Sequence, residues 1–281
     1  MSAAPERPGL SGVVICHQEA DRIADCLRSL AFCDEVLVVD SGSTDGTQDL
    51  ARQLGARVLE RPWPGHVAQK EFAIRAARHD WVLSLDADER CSATLAAEVE
   101  ALRAAGFAGP PGFRIPRMTS YLGRWIRHGG WYPEHRLRLF DRRRGRWTGH
   151  DPHDRVEVDG EVGRLRGRIF HDSFRSFAEH LRTIDRYTTT MAEGMQARGR
   201  IARPLDLLTH PLARFVRFYL LRLGFLDGWR GLLIALLAAH YARLKYAKLL
   251  AMQRGAPTPP PDDAMPGTFG VPAQDRERRS S

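Results

Sequence analysis

The chain has 281 residues, 43% hydrophobic and 27% charged, which suits one substantial core with appendages and excludes wholesale disorder. Its formal charge of +8 sits in one segment, because residues 200–254 carry ten Lys and Arg against Asp206 and Asp227 while the rest of the chain balances. Those cations are interleaved with Leu, Phe, Tyr and Trp, a mixture that points to an anionic membrane surface and away from nucleic acid.

The opening MSAAPERPGLSG contains an acid and no apolar stretch of the kind an export signal needs, so residues 1–9 read as a short tail and a cytoplasmic location is expected. Apolar runs at residues 12–16, 35–40, 57–60 and 81–85 predict four strands. Between and after them Ile23, Leu27 and Leu30 recur at helical spacing, as do Leu50 and Leu54, then Phe72, Ala73, Ala76 and Ala77, and finally Leu95, Val99 and Leu102. Four units of one pattern predict an α/β fold, a Rossmann-type, mostly parallel sheet flanked by helices. Cys16, Cys26, Cys33 and Cys91 form no C-x-x-C pair and have no His at zinc spacing, so they are expected to be reduced packing thiols.

The rhythm changes after Gly106. GPPG interrupts the chain, residues 113–115 predict a short strand ended by Pro116, and a loop rich in Gly and Trp follows in GRWIRHGGWYP. RLRLF at residues 136–140 alternates basic and apolar residues, which predicts a half-buried strand with Arg136 and Arg138 on one face. This part is expected to extend the sheet and build the second wall of a cleft. Residues 204–250 are rich in Leu and aromatics, but the longest apolar run, 232–239, falls well short of the ~20 residues of a spanning helix. Residues 201–254 are therefore expected to form a helical, amphipathic, membrane-associating extension, and residues 255–281 a disordered Pro-rich tail.

Two acidic motifs fall at strand ends. Asp86-Ala87-Asp88 directly follows the apolar WVLSL, and in an open α/β sheet the carboxyl ends of the strands form the ligand-binding edge. Hard oxygen ligands at that spacing suit Mg2+ or Mn2+ shared with a diphosphate, although acids in a solvated turn would read the same way. VVDSGSTDGT puts Asp40 at the end of the second strand, where its carboxylate could accept from a base or ribose, with Ser43, Thr44 and Asp45 as caps for the next helix. Neither G-x-x-x-x-G-K-[ST] nor G-x-G-x-x-G follows the first strand, which leaves phosphate binding to metal and basic side chains.

With the opening GVVICHQEAD, these motifs resemble the glycosyltransferase family 2 catalytic domain, of GT-A fold. The likeness continues through QKEFAIRAA, LGRWIRHGGWYPEHRLRLF and RLGFLDGWRGLLIALLAAHYARLKYAKL, which look like the bacterial lipopolysaccharide core β-glucosyltransferase subfamily, so it covers residues 10–250. The resemblance implies inverting, metal-dependent transfer of glucose or a related hexose from a UDP-sugar to a heptose of the inner core. Residues 10–105 would then hold the nucleotide-sugar donor and residues 106–200 the glycolipid acceptor, with the protein peripheral on the inner face of the cytoplasmic membrane. By position Glu19 and Asp40 would contact the nucleoside, while Asp86 and Asp88 would hold metal and diphosphate. Lys70 would touch the donor or stand as a solvated helix lysine, and His171 in RIFHDSF would complete the metal site or pack against Phe170 and Phe174. Ser41 replaces the second acid of the commoner Asp-Asp-Gly-Ser version, and His17-Gln18 a usual Lys-Asn or Tyr-Asn, which leaves the donor open.

Inversion needs a base on the face opposite the leaving group. Glu134, Asp151, Asp154 and Glu157 follow the metal motif; His153-Asp154 matches the family's His-Glu pair, so Asp154 is the first choice and Glu134 the second. Arg136, Arg138, Arg142, Arg143, Arg144 and Arg146 would meet acceptor phosphates, the last four reading equally well as a solvated basic turn, and Trp125, Trp131 and Tyr132 would stack on sugars or anchor their loop. Two rival classes are weaker. A nucleotidyltransferase ordinarily has a Gly-rich, Lys-containing loop where this chain has CHQEAD, and a non-catalytic basic protein leaves Asp40, Asp86 and Asp88 at adjacent strand ends unexplained.

Overall fold

The computed structural model describes residues 7–149, 154–174 and 176–255. Asp151, His153 and all but the first residue of the expected tail 255–281 lie outside them.

Strands β1 (Leu10–Cys16), β2 (Glu35–Asp40), β3 (Arg57–Glu60) and β4 (Trp81–Asp86) are parallel and lie in the order β3-β2-β1-β4. Helices α1 (Ile23–Ser29), α2 (Thr47–Gln53) and α3 (His66–Ala76) connect them. β1 is buried along its whole length, as a central strand covered on both faces should be. Leu10 and Val14 pack with Ile23, Leu27 and Leu30, whereas Val13 and Ile15 pack with Ala73 and Ile74, so α1 and α3 cover opposite faces. β5 (Glu89–Cys91) follows, then α4 (Ala93–Ala104), whose first turn is capped by Ser92 Oγ accepting from Leu95 N at 3.1 Å.

Beyond α4 the sheet becomes mixed. It gains β6 (Gly112–Tyr121), β7 (Arg124–Trp125), β8 (Glu134–Asp141), β11 (Val162–Arg164) and β12 (Ile169–Asp172), while β9 (Gly145–Thr148) and β10 (Arg155–Val158) form a separate ribbon. The path runs β3-β2-β1-β4-β8-β6-β12-β5, with β8 antiparallel to both neighbours and β12 parallel to β6. The short strand expected to stop at Pro116 is ten residues long and runs through it. Pro116 falls in a gap between two partners, because β11 ends opposite Arg114 and β12 begins opposite Arg117. On that side there is no ladder for the missing N–H to interrupt.

The chain closes with α5 (Phe177–Ala197), α6 (Asp206–Val216), a π-helical turn at Arg217–Leu221, a 3-10 turn at Gly224–Asp227 and α7 (Gly228–Gln253). Among the described residues no helix is long and apolar enough to cross a membrane. Ala192 and Met195 of α5 pack with Tyr246 and Leu249 of α7, so the helical unit begins at α5, inside the stretch read from sequence as catalytic domain. GFLDGWRG ties this unit to the sheet: Asp227 accepts from His128 N at 2.8 Å, and Arg230 Nη2 donates to Leu122 O at 2.9 Å. A Cβ at Gly231 would stand 1.8 Å from Gly224 O, an approach that only glycine permits.

Candidate functional site

The carboxyl ends of β1, β2 and β4 form one edge, and two loops leave it, residues 17–22 and 41–46. Side chains of the second loop and of the first residue of α2 bind the backbone of the first loop. Ser43 Oγ accepts from Gln18 N at 2.8 Å, Asp45 Oδ2 from Ala20 N at 3.1 Å, and Thr47 Oγ1 from Glu19 N at 2.9 Å. Of the expected helix caps, Asp45 does part of that work by accepting from Thr47 N at 3.1 Å, while Ser43 faces the neighbouring loop.

Asp40 is fully buried and its carboxylate is fully engaged. It accepts from Gly42 N at 2.9 Å, Ser43 N at 2.8 Å, Ser43 Oγ at 2.5 Å, Gln48 Nε2 at 2.7 Å and Cys16 Sγ at 3.2 Å. A carboxylate offers about four lone-pair sites, so in this arrangement none is left for a base or ribose. Burial pushes the Asp40 carboxyl up, but the donors led by Ser43 outweigh it and hold the group below the usual carboxylate range. Asp40 shapes the loop. Glu19 is likewise held, by Arg22 Nε at 2.9 Å and Nη2 at 3.0 Å.

β4 delivers Asp86 to the edge, where cations from two other elements meet it. Lys70 Nζ on α3 is 2.9 Å from Asp86 Oδ1 and 2.8 Å from Asp154 Oδ2, and it lies over the Trp147 ring at 4.6 Å. Arg138 Nη2 on β8 is 2.8 Å from Asp86 Oδ2 and 3.0 Å from Glu89. Glu89 also accepts from Asp86 N and Arg117 Nη1, each at 3.1 Å. Ions this deep persist because each has its opposite beside it. Burial raises the Asp86 carboxyl, but Lys70 and Arg138 override it and hold the group well below the usual range; Lys70 does the same for Asp154. Asp154 Oδ1 accepts no hydrogen bond among the described residues.

Arg138 therefore corrects a sequence expectation. It is 4% exposed and part of the acidic network, not one of a row of guanidiniums open to acceptor phosphates. The arginines after it disperse: Arg142 donates to Arg75 O, Arg143 to Asp141 and Arg144 to Asp159 O, while Arg146 stays exposed. Glu134 is gripped by Arg117 and Arg136, each at 2.5 Å; burial raises it, but the two guanidiniums win and hold it below the usual range. Glu157 pairs with Arg155 at 2.7 Å on the exposed ribbon. Trp125 packs on Phe170, Trp131 on Tyr121, and the Tyr132 hydroxyl accepts from Arg168 Nε at 3.1 Å, so all three anchor their loops.

Asp88 and His171 converge from β4's end and β12. His171 Nε2 is 3.3 Å from Asp88 Oδ2, and its Nδ1 lies 3.2 Å from Thr119 Oγ1, which fixes the ring. Arg22 Nη1 approaches Asp88 at 3.9 Å and donates to Asp172 O at 2.6 Å. A cavity of ≈ 210 Å³ opens here between Arg22, Asp88, Arg90 and Asp172. Among the described residues no cluster of three or more His, Cys, Asp or Glu could hold a metal by itself. The Asp88–His171 pair nonetheless fits Mg2+ or Mn2+, since such ions are commonly held by one or two protein ligands and completed by substrate phosphates and water. Asp86, with both oxygens on cations, is the less available of the two acids.

Sequence reasoning missed Arg22, Glu89 and Trp147. Only Glu89 had a local signal, as the fourth residue of DADE, where its side chain reaches back to the Asp86 N–H.

Residues 11–157 match the family described as glycosyl transferase family 2, and the chain belongs to it. The chain is 31% identical over 273 residues to the lipopolysaccharide core biosynthesis glycosyltransferase LpsC of Rhizobium meliloti, covering 93% of this chain and 98% of that protein. An uncharacterized glycosyltransferase of Rickettsia typhi is 29% identical over 252 residues, covering 85% and 86%. Among solved structures, S. aureus TarS 1–349 in complex with UDP-GlcNAc aligns over 88% of this chain and 92% of that one, at 16% identity and a TM-score of 0.48. The family expected from the motifs is thus the family found, and the protein is a glycosyltransferase.

Proposed function

We propose that the protein transfers a hexose, glucose first among the candidates, from a UDP-sugar to a lipid-linked glycan of the lipopolysaccharide core type, with inversion at the anomeric carbon. The observation that carries this reading is the meeting at one sheet edge of Asp88 with His171 and of Lys70 with Asp86 and Asp154. Similarity to LpsC along almost the whole chain supports the acceptor class.

A bound Mg2+ or Mn2+ would neutralise charge growing on the departing diphosphate, and Asp88 and His171 are the residues to hold it. Asp154 takes the proton of the acceptor hydroxyl as that oxygen attacks the anomeric carbon; the bond from this carbon to the phosphate oxygen breaks, and its electrons leave on UDP. Lys70 keeps Asp154 ionised and fixes Oδ2, which leaves Oδ1 for the hydroxyl. No covalent sugar–enzyme intermediate forms.

The helical unit supports peripheral association with the cytoplasmic face of a membrane. Leu208, Leu212, Leu220, Leu221, Phe225 and Trp229 are between 44% and 74% exposed, and the exposed Arg217 and Arg222 lie among them. An apolar ridge with basic flanks is what an anionic bilayer attracts.

The test combines purified protein, Mn2+, UDP- and GDP-sugars and a core glycolipid truncated at heptose. Metal-dependent UDP release with an inverted anomeric product is the expected result, and Asp88→Ala should abolish it. Turnover indifferent to both metal and Asp88, or a retained configuration, would overturn the reading.

A further inference from the structure

The helical unit carries a second cavity, open on one side, that sugar transfer does not use. Its volume is ≈ 170 Å³, and it lies between α5, α6 and α7, lined by Trp131, Ile184, Phe218 and Ile234 with Arg214 and Tyr241. Cavities of ~150 Å³ with such walls take up a benzene-sized apolar group. Whole organic ligands need roughly 300–1,000 Å³, so this space suits a piece of one hydrocarbon chain.

The charges beside it are of one sign. Arg214 stands over Phe218 at 5.3 Å, and neither it nor Lys245, one turn beyond Tyr241 on α7, makes an ion pair among the described residues. The nearby acids are engaged elsewhere: Asp206 faces His210 at 3.4 Å, Asp185 holds Lys248 at 2.7 Å, and Asp227 binds the loop at His128. Burial first, then the charges of Arg214 and Arg200, hold the Lys245 ammonium below the usual lysine range. Cations gathered without a counterion repel one another, and an anion among them would relieve this. The exposed ridge adjoins the same place, since Leu212 and Leu220 flank Arg214 and Phe218 within two residues.

We propose that the cavity and its two cations bind one anionic phospholipid of the bilayer, a segment of acyl chain entering between α5 and α7 and the phosphate facing Arg214 and Lys245. This rests on peripheral membrane association but demands more than the ridge does, namely headgroup selectivity that depends on a largely apolar cavity. The glycolipid acceptor is not required for it.

The full chain is floated with vesicles of phosphatidylcholine alone and of phosphatidylcholine mixed with phosphatidylglycerol, free of glycolipid. Wild type should prefer the anionic vesicles. Arg214→Ala and Lys245→Ala should each reduce that preference about fivefold, the size expected for one cation at an anionic surface. Ala238→Phe, which fills the cavity and changes no charge, should reduce it too, with helix content and donor hydrolysis kept. If all three keep the wild-type preference while the protein floats, the lipid site is wrong and membrane association stands. If wild type floats with neither vesicle, both ideas fall, and the proposed glycosyl transfer is untouched. Should Ala238→Phe not fold, calorimetry on wild type decides: saturable binding of dihexanoyl phosphatidylglycerol is expected, and equal heat from dihexanoyl phosphatidylcholine or inorganic phosphate would sink the site.

Discussion

At the sheet edge Lys70 sits between Asp86 and Asp154 and Arg138 between the same Asp86 and Glu89, whereas in the helical unit neither Arg214 nor Lys245 has an ion-pair partner among the described residues. The apolar residues divide in the same way. β1 is buried from end to end, but Leu221 is 74% exposed. A region whose charges and apolar groups are all answered within the chain is complete as folded. A region with a surplus of both is the one for which docking to an outside surface is proposed.

The sharpest way to break this contrast is at the base. Asp154→Asn should lower transfer by about 10²–10⁴-fold, measured as UDP release with acceptor present, while donor binding survives. A variant retaining most of its turnover would remove Asp154 from the reaction. Next comes the lysine that serves both acids. Lys70→Met leaves Asp154 without its cation and Asp86 with Arg138 alone, which should cost about 3 kcal/mol in urea unfolding, the low end for a broken buried pair because Asp86 keeps its second cation. An unchanged midpoint would show that the edge does not depend on its internal pairing.

His180, where sheet and helices join, offers a pH test. Its ring stacks on Phe174, its Nδ1 meets the Tyr121 hydroxyl at 2.9 Å, and burial lowers its pKa to about 4 from the model-peptide 6.5. Between those values the unfolded chain binds the proton and the folded chain does not. Stability from this group is therefore full above pH ~6.5 and declines as pH falls toward ~4, by at most about 3 kcal/mol. In His180→Phe the unfolding midpoint should lose that part of its pH dependence. The smallest effect belongs to the ridge: Leu221→Asp should move stability by no more than about 0.5 kcal/mol while flotation with anionic vesicles drops. A large thermal shift would mean that the ridge is packed in solution.

The parallel strands were legible in the sequence; residues 35–40 and 57–60 match β2 and β3 to the residue, β2 because a strand covered on both faces reads as an apolar run, β3 although none of its residues is buried. Pro116 misled because the gap that tolerates it is made by strands 46 to 56 positions away in β11 and β12. At the site, strand-end position located Asp86 and Asp88 but could not reveal their partners. Arg138 pairs with Asp86 across 52 residues, and its place in RLRLF looked like an outward face until β4 and β6 were laid on either side of β8. Asp40 shows the opposite limit: its location was readable, but its saturation with donors depends on how the loop folds back over it.

That saturation makes Asp40 a hub. Cys16 on β1, Gln48 on α2 and the turn at Gly42–Ser43 all fasten to one carboxylate, and Ser43 in turn carries the neighbouring loop through Gln18. Three segments share a single rivet, so an amide in its place would turn a donor toward donors and unpick both rims of the edge together.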